Sequence, residues 1–319
     1  MPSRAFYWLL LAGFIPAGRA QTAPEPSSTD EWFELGRQLF EDYAPDEVKA
    51  RYAFPTRVDW DQFWARLDQA LQGESLDQLA AYGDEARAAL AGLRLIPDMG
   101  EFADWLEQRI DEIEGAGTVR AVPPATPPTA QPPSSGPLQP PSRPGRRVPY
   151  YDVWVNRVRG RPVPARAAAL LPQLRQAFVA EGLPPELVWI AEAESSFNPS
   201  ARSPVGARGL FQFMPATAKE MGLQTFLPDE RTDPEKSARA AARYLKRLHG
   251  RFGDWPLALA AYNAGEGRVG RTLSARGNKD YAAIAESLPA ETRMYVPKVL
   301  ALVAARTGTA PEAIPAPRR

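Results

Sequence analysis

The stretch LVWIAEAESSFNPSARSPVGARGLFQFMP at residues 187–215 contains a carboxylate placed for proton transfer. At about 100° per residue, Glu194 falls between Leu187 and Ile190 on a helix surface, which sets it beside a core. Pro184 and Pro185 suit a first helical turn, and Ser195, Ser196, Asn198 and Pro199 end the helix, so Glu194 also stands at its negative C-terminal end. Burial and the helix dipole both disfavour the anion. A carboxyl group that stays protonated near neutral pH can donate to a leaving oxygen, as cleavage of a glycosidic bond requires.

Three further patches accompany it. In SPVGARGLFQFMP, from Ser203 to Pro215, Gly206 and Gly209 permit tight turns that bring backbone close to a ligand, and Gln212 offers a sugar both a donor and an acceptor. Ala261-Tyr262-Asn263-Ala264-Gly265 puts a phenol and an amide at a helix end broken by glycine. Glu291-Thr292-Arg293-Met294-Tyr295 places Glu291 and Tyr295 four apart on one helix face. Each residue has a structural alternative: Tyr262 and Tyr295 as core side chains with satisfied hydroxyls, Asn263 as a helix C-cap, Met214 as core filling, Glu291 as a first-turn acid. Neutral polar groups around an isolated acid suit a carbohydrate rather than a phosphate or a metal.

With these motifs in this order over about 160 residues, the chain resembles the soluble lytic transglycosylases of the goose-type lysozyme-like superfamily. The resemblance rests on Glu194-Ser195, Gly209-Leu210-Phe211-Gln212, Ala261-Tyr262-Asn263 and ETRMYV at 291–296, with Phe211 where the family usually has Met. GEGRV at 265–269 also looks like the membrane-bound transglycosylase D branch, although the lipobox cysteine and LysM repeats usual there are absent. The resemblance implies a lysozyme-like helical domain that cleaves the β-1,4 bond between N-acetylmuramic acid and N-acetylglucosamine in peptidoglycan, leaving a 1,6-anhydro product. It makes Glu194 the sole catalytic acid and base and puts Ser195 beside it. It places Ser203, Gln212 and Met214 along the saccharide groove, and Tyr262 and Asn263 by the reacting sugar. Tyr295 would bond near Glu194, and Glu291 would line the subsite for glycan or peptide. The resemblance does not reach residues 1–145.

The elements that must position these groups read as helices almost throughout, so the expected class is mainly all-α. Leu170, Leu174 and Phe178 form one stripe closed by Gly182; Asp233-Pro234 opens a helix running to His249; Asp254-Trp255-Pro256 opens another toward Tyr262; residues 291–305 make a last helix with an expected kink at Pro297. Residues 150–161 (YYDVWVNRVRGR) are the one strand-like stretch, read as a short hairpin or extended arm.

Four segments follow from composition. Residues 1–20 read as a secretory signal, with Arg4, an apolar run over 5–15 and Ala20 before the cleavage point. That run is too short to span a bilayer core of ~30 Å. Residues 28–114 read as a small acidic helical domain of unknown role, with helix-start signatures at Ser28, Asp59, Ser75 and Asp98 and aromatic stripes taken as core. Residues 115–149 are a Pro-rich linker, of which 122–149 could reach roughly 85 Å at ~3.1 Å per residue, with Arg143, Arg146 and Arg147 at its end. Residues 150–310 are the lysozyme-like domain.

The chain has 319 residues, 34 prolines, one histidine and no cysteine. Cys-His catalysis and most zinc sites are excluded, and a Ser-His-Asp triad would have to use His249, whose bland reading is a helix C-cap before Gly250. No metal or cofactor is expected. The formal net charge is zero, but residues 25–114 carry 8 Lys+Arg against 22 Asp+Glu, and residues 148–319 carry 24 against 16. A basic C-terminal half suits an anionic polymer or surface, and an acidic N-terminal half suits a protein partner, autoinhibitory docking on the basic half, or repulsion of the same polymer. An exported protein of the periplasm of a Gram-negative bacterium fits best, with glycan strands of peptidoglycan and not nucleic acid as its partner. Two alternatives stand beside this. A goose-type hydrolase would need a second carboxylate about 6.5–9.5 Å from the acid, with Asp229, Asp233, Glu266 and Glu291 as candidates; a non-catalytic peptidoglycan-binding scaffold would need none.

Overall fold

A computed structural model describes residues 56–121 except 85, 88–89, 91–93 and 95–99, residues 148–318 except 204, 278 and 279, and a few positions between 33 and 41. The expected signal and most of the expected linker lie outside these residues. The described residues are mainly helical and form no strand, only isolated bridges such as Arg208 with Phe213. No helix among them is long and apolar enough to cross a membrane.

The N-terminal helices are α1 (Arg57–Gln72), α2 (Leu76–Ala80) and α3 (Gly100–Ala121). Ser75 caps α2 by accepting from the Gln78 N–H at 3.2 Å, as its signature predicts. Asp59, expected to cap α1, instead lies inside its first turn, because α1 opens at Arg57. Along α3, Ala103, Leu106, Ile110, Ile113 and Ala116 are buried at helical spacing, and so are Gln108, Arg109 and Glu112 on another face. A helix buried on two faces, one of them polar, is packed between other elements.

Helix α3 also runs past the point where the linker was expected to begin. Gly115 reads in sequence as a breaker, yet it lies inside the helix, where a Cβ would come within 2.6 Å of Trp154 Cζ2. The glycine is there so that α3 can approach α4 (Tyr151–Val158). Helix α4 itself replaces the expected hairpin or arm. Its Tyr, Val and Trp residues favour strands, but Trp154 and Val158 sit one turn apart and are both buried, so the tertiary core overrides that preference.

Helix α5 (Ala167–Ala180) buries Leu174 and Phe178 and is closed by Gly182 at φ 78°, with the Leu183 N–H returning to Phe178 O at 2.9 Å. A 3₁₀ turn, Pro185–Trp189, then leads into α6 (Ile190–Ser195), in which every residue is buried. Helix α7 is Pro215–Glu220. Asp233 and Asp254 cap α8 (Pro234–Phe252) and α9 (Trp255–Ala264), accepting at 2.9 Å from the N–H groups of Lys236 and Leu257. Helix α8 does not stop at His249: it ends at Gly253, in the left-handed conformation, and the His249 ring packs 4.3 Å from Trp255. Burial of His249 lowers its pKa. After α10 (Glu266–Arg276) and α11 (Tyr281–Ile284), α12 (Ala290–Thr307) continues through Pro297, its residues 292–303 all buried.

Helix α12 is the axis of the structure, packed against α1, α3, α4, α6 and α9. One hydrophobic core contains Leu67, Leu79, Leu106 and Ile113 of the N-terminal helices together with Phe178, Ile190 and Val299. Charge reinforces this packing. Asp111 of α3 accepts from Arg157 at 3.2 Å and Arg161 at 2.6 Å, Asp104 pairs with Arg166 at 3.1 Å, and the Asn198 amide donates to Asp104 at 2.8 Å. Asp104 and Asp111 of the N-terminal helices thus sit against cations and an amide of the C-terminal half, while others, such as Asp61 and Glu107, pair within residues 57–121.

Candidate active site

Glu194 lies in the last turn of α6 and is 7% exposed. The chain leaves this helix through Ser196 and Phe197, both in the left-handed region at φ 49° and 58°. Two consecutive non-glycine residues there are costly and persist only because surrounding structure holds them. Phe197 is fully buried against Trp189, and the Gln108 amide of α3 donates to Ser196 Oγ at 2.6 Å. The reversal fixes the helix end and with it the acid.

Helix α12 supplies the acid's hydrogen-bond partner: the Tyr295 hydroxyl donates to Glu194 Oε1 at 2.6 Å, fully buried. Burial pushes Glu194 up to about 7; Arg109, the Tyr295 hydrogen bond and Lys298 oppose this, and Glu291 adds to it. Burial also raises Tyr262 and Tyr295 well above the usual phenol range, helped by the charge of Glu194, so both remain proton donors. A carboxyl group balanced near neutrality can give a proton and later take one back.

One turn before Tyr295, Glu291 Oε1 accepts from the Asn263 amide at 3.2 Å and from Arg109. Asn263 Oδ1 in turn accepts from the Thr292 hydroxyl at 2.6 Å, so the Ala-Tyr-Asn patch at the end of α9 is tied to α12. The neighbouring Tyr262 hydroxyl donates to Phe211 O at 2.8 Å, and its ring stacks 5.3 Å from Tyr244. These bonds gather α6, α9, α12 and the 201–213 loop around one acid.

The loop is held by close backbone approach. A Cβ on Gly209, at φ 81°, would stand 1.9 Å from Arg231 O, so no side chain fits there. Gln212, at φ 47°, donates from Nε2 to Gly209 O at 2.9 Å and Ala201 O at 3.2 Å; those carbonyls set the amide's orientation and leave its buried Oε1 without a partner. That oxygen is a buried acceptor without a partner beside a turn. Ser195 is fully buried, its Oγ donating to Leu210 O at 2.9 Å, which clamps the loop to α6 rather than facing outward. Ser203 Oγ accepts from the Ala207 N–H at 2.8 Å, and Met214 is 41% exposed at the start of α7.

The candidate second carboxylates are all engaged. Asp229, despite partial burial, is held at about 2 by hydrogen bonds from Arg231 and Arg208. Asp233 is a helix cap, Glu266 pairs with Arg251 at 3.2 Å, and Glu291 carries Asn263 and Arg109. None stands free to hold a water opposite Glu194.

Sequence reasoning missed the cations. Arg109 and Lys298 both act electrostatically on Glu194, and neither lies in a motif. For Lys298 a signal existed: it is a lone charge in the apolar run VPKVLALVA, and it is completely buried. Its Nζ donates to Gln108 O at 3.1 Å and lies 3.4 Å from Asp111 and Glu112.

Residues 175–285 match the family model of the transglycosylase SLT domain. Over 126 residues the chain is 44% identical to membrane-bound lytic murein transglycosylase D of Escherichia coli K12, spanning 38% of this chain and 27% of that protein. Over 120 residues it is 43% identical to the soluble lytic murein transglycosylase of Salmonella typhimurium, spanning 35% and 19%. The 70 kDa soluble lytic transglycosylase of Escherichia coli superimposes with a TM-score of 0.42 at 22% identity, covering 90% of this chain and 47% of that one. The match thus spans 27% and 19% of the length of these two curated relatives, the transglycosylase D and the Salmonella enzyme. Glu194, Gln212, Tyr262 and Asn263 lie inside the matched segment, whereas Glu291, Tyr295 and Arg109 lie outside it.

Proposed function

We infer, from the match of residues 175–285 to the transglycosylase SLT domain, that this protein is a lytic transglycosylase acting on the glycan strands of peptidoglycan. The observation that carries the reading is the buried Glu194, raised to about 7 and hydrogen-bonded to Tyr295, with no unengaged second carboxylate among the candidates. Glu194 protonates the oxygen of the β-1,4 bond as the bond to C1 of N-acetylmuramic acid breaks, releasing the N-acetylglucosamine hydroxyl. The resulting carboxylate takes the proton of the muramoyl C6 hydroxyl as that oxygen bonds to C1. The 1,6-anhydro ring closes, Glu194 is protonated again, and no water is consumed.

The other residues serve this step. Tyr262 and Asn263 flank the reacting sugar, and Glu291 lines the same subsite. Gln212, Ser203 and Met214 line the saccharide groove. Ser195 acts by holding the loop against α6. Residues 1–20 direct export to the periplasm, and the Pro-rich segment beyond Ala121 tethers the helical N-terminal unit to the catalytic one.

The deciding experiment is mass spectrometry of peptidoglycan digested by the purified protein and by Glu194→Gln. Anhydromuropeptides from the wild type alone are expected. Products heavier by one water would replace the reading with a hydrolase, and no cleavage by wild type would leave a binding scaffold.

A further inference from the structure

Arg109 belongs to the part of the chain to which the sequence assigned no chemistry, yet it is 95% buried at the acid's edge (5% exposed). Its Nη1 contacts Glu291 of α12, the carboxylate that also holds Asn263, and lies 3.1 Å from Glu112 Oε2 on its own helix. Its Nε is buried and unpartnered. Around it, α3 presents Glu112, α12 presents Glu291 and Tyr295, and α6 presents Glu194 itself; Glu194 in turn interacts with Lys298 of α12 and Tyr262 of α9. A buried cation shared by two carboxylates is costly unless it is fully compensated, and a structural clip at this place needs no charge. Its partner Glu291 stands one helical turn before the Tyr295 that bonds Glu194, and this has a chemical consequence.

We propose that Arg109 is a positioning residue of the active site: held between Glu112 and Glu291 by the docked N-terminal helix α3, it balances the charge around Glu194 and so makes seating of that helix a condition of glycan cleavage. The proposal rests on the transglycosylase reading of Glu194 and adds the residue that lets one carboxyl group serve in both directions. Among the groups that act on Glu194, Arg109 is the strongest opposing burial, and Glu291 works the other way. Without the cation, the charge of Glu291 acts on Glu194 with less to oppose it, and the acid gives up its proton too reluctantly to become the base.

The sign follows from the order of steps. Glu194 must enter the reaction protonated, so activity falls as pH rises through its pKa, and anything that raises the pKa moves this alkaline limb upward. In the full-length protein, Arg109→Met is expected to move the limb of kcat/KM upward by about one pH unit or more, the effect of removing one opposite charge. Glu291→Gln is expected to move it downward, and Arg109→Lys to return it toward wild type. Opposite movements distinguish charge balance from loss of packing, which lowers the rate at every pH alike. If Arg109→Met does not fold, Arg109→Gln takes its place as the charge-removing variant, and an unmoved limb in it overturns the proposal. Titration of the Glu194 carboxyl carbon by NMR, assigned with Glu194→Gln, separates two failures. A moved titration without anhydromuropeptide release sinks the activity reading alone. Cleavage with an unmoved titration sinks the role of Arg109.

Discussion

The Tyr295 hydroxyl donates to Glu194 Oε1 at 2.6 Å across 101 residues of chain, joining α12 to the end of α6. A hydrogen bond to a carboxylate favours the anion, so this contact offsets part of what burial does to Glu194. Tyr295→Phe keeps the ring and removes the donor. A hydrogen bond to a charged group is worth about 1.5–3 kcal/mol, so kcat is expected to fall roughly ten- to hundredfold while the alkaline limb moves upward. A rate within twofold of wild type would show that the contact is packing alone.

Burial of Glu194 also leaves a mark on stability. Its folded pKa, about 7, exceeds the ordinary value of 4.5. A raised pKa means that the native state binds the proton more tightly, so this contribution is complete below pH 4.5 and is lost as pH rises through about 7. At about 1.4 kcal/mol per pH unit, the loss is at most about 3 kcal/mol. Glu112, raised to about 7 chiefly by burial and lowered by Arg109 and Lys298, titrates in the same window, so the comparison must be with a variant. In urea unfolding, Glu194→Gln is expected to gain on wild type between pH 4 and pH 8 by up to that amount, with the two closest at pH 4. Parallel stability curves would mean that Glu194 is solvated.

Helix α3 carries two glycines that differ in what they touch. A Cβ at Gly115 meets Trp154 at 2.6 Å, while one at Gly117 reaches only Ala80 Cβ at 3.9 Å. Replacing a mid-helix glycine by alanine normally stabilises by about 0.5–1 kcal/mol, so Gly117→Ala is expected to raise Tm. Gly115→Ala must push a buried indole aside, and overpacking costs about 1–3 kcal/mol, so its Tm is expected to fall. The opposite signs, two residues apart, test whether α3 lies on α4 in solution.

How much of this was legible in the sequence depends on how far each interaction reaches. Asp233 and Asp254 announce their helices because a cap is read three residues ahead, and Glu194 stands out because burial follows from helical spacing against Leu187 and Ile190. The Glu291 and Tyr295 pair is also local, one turn apart on α12. Residues 151–158 were misread because Val, Tyr and Trp favour strands when nothing is known of the α3 and α12 surfaces that turn Trp154 and Val158 inward. Gly115 was misread for the converse reason, since a breaker and a close-approach glycine are the same letter. The charge partners were hidden by distance: Arg109 and Glu291 are 182 residues apart, and Arg109 sits in an acidic run that reads as a solvated face.

Lys298 tests that long-range network most directly. Its ammonium is completely buried, 3.4 Å from both Asp111 and Glu112, and donates to Gln108 O at 3.1 Å. Removing one partner of a buried ion pair typically costs about 3–5 kcal/mol, because the other charge stays behind unpaired. Lys298→Met is therefore expected to lose stability on that scale at pH 8. Asp111 keeps Arg157 and Arg161 whereas Glu112 keeps only Arg109, so Glu112 loses more of its compensation, and adding Glu112→Gln to Lys298→Met should recover part of the loss. A double-mutant cycle measured by urea unfolding gives the coupling directly, expected at 0.5–3 kcal/mol in magnitude, about the range for groups within one network. Additive losses would show that Lys298 and Glu112 do not share one charge network.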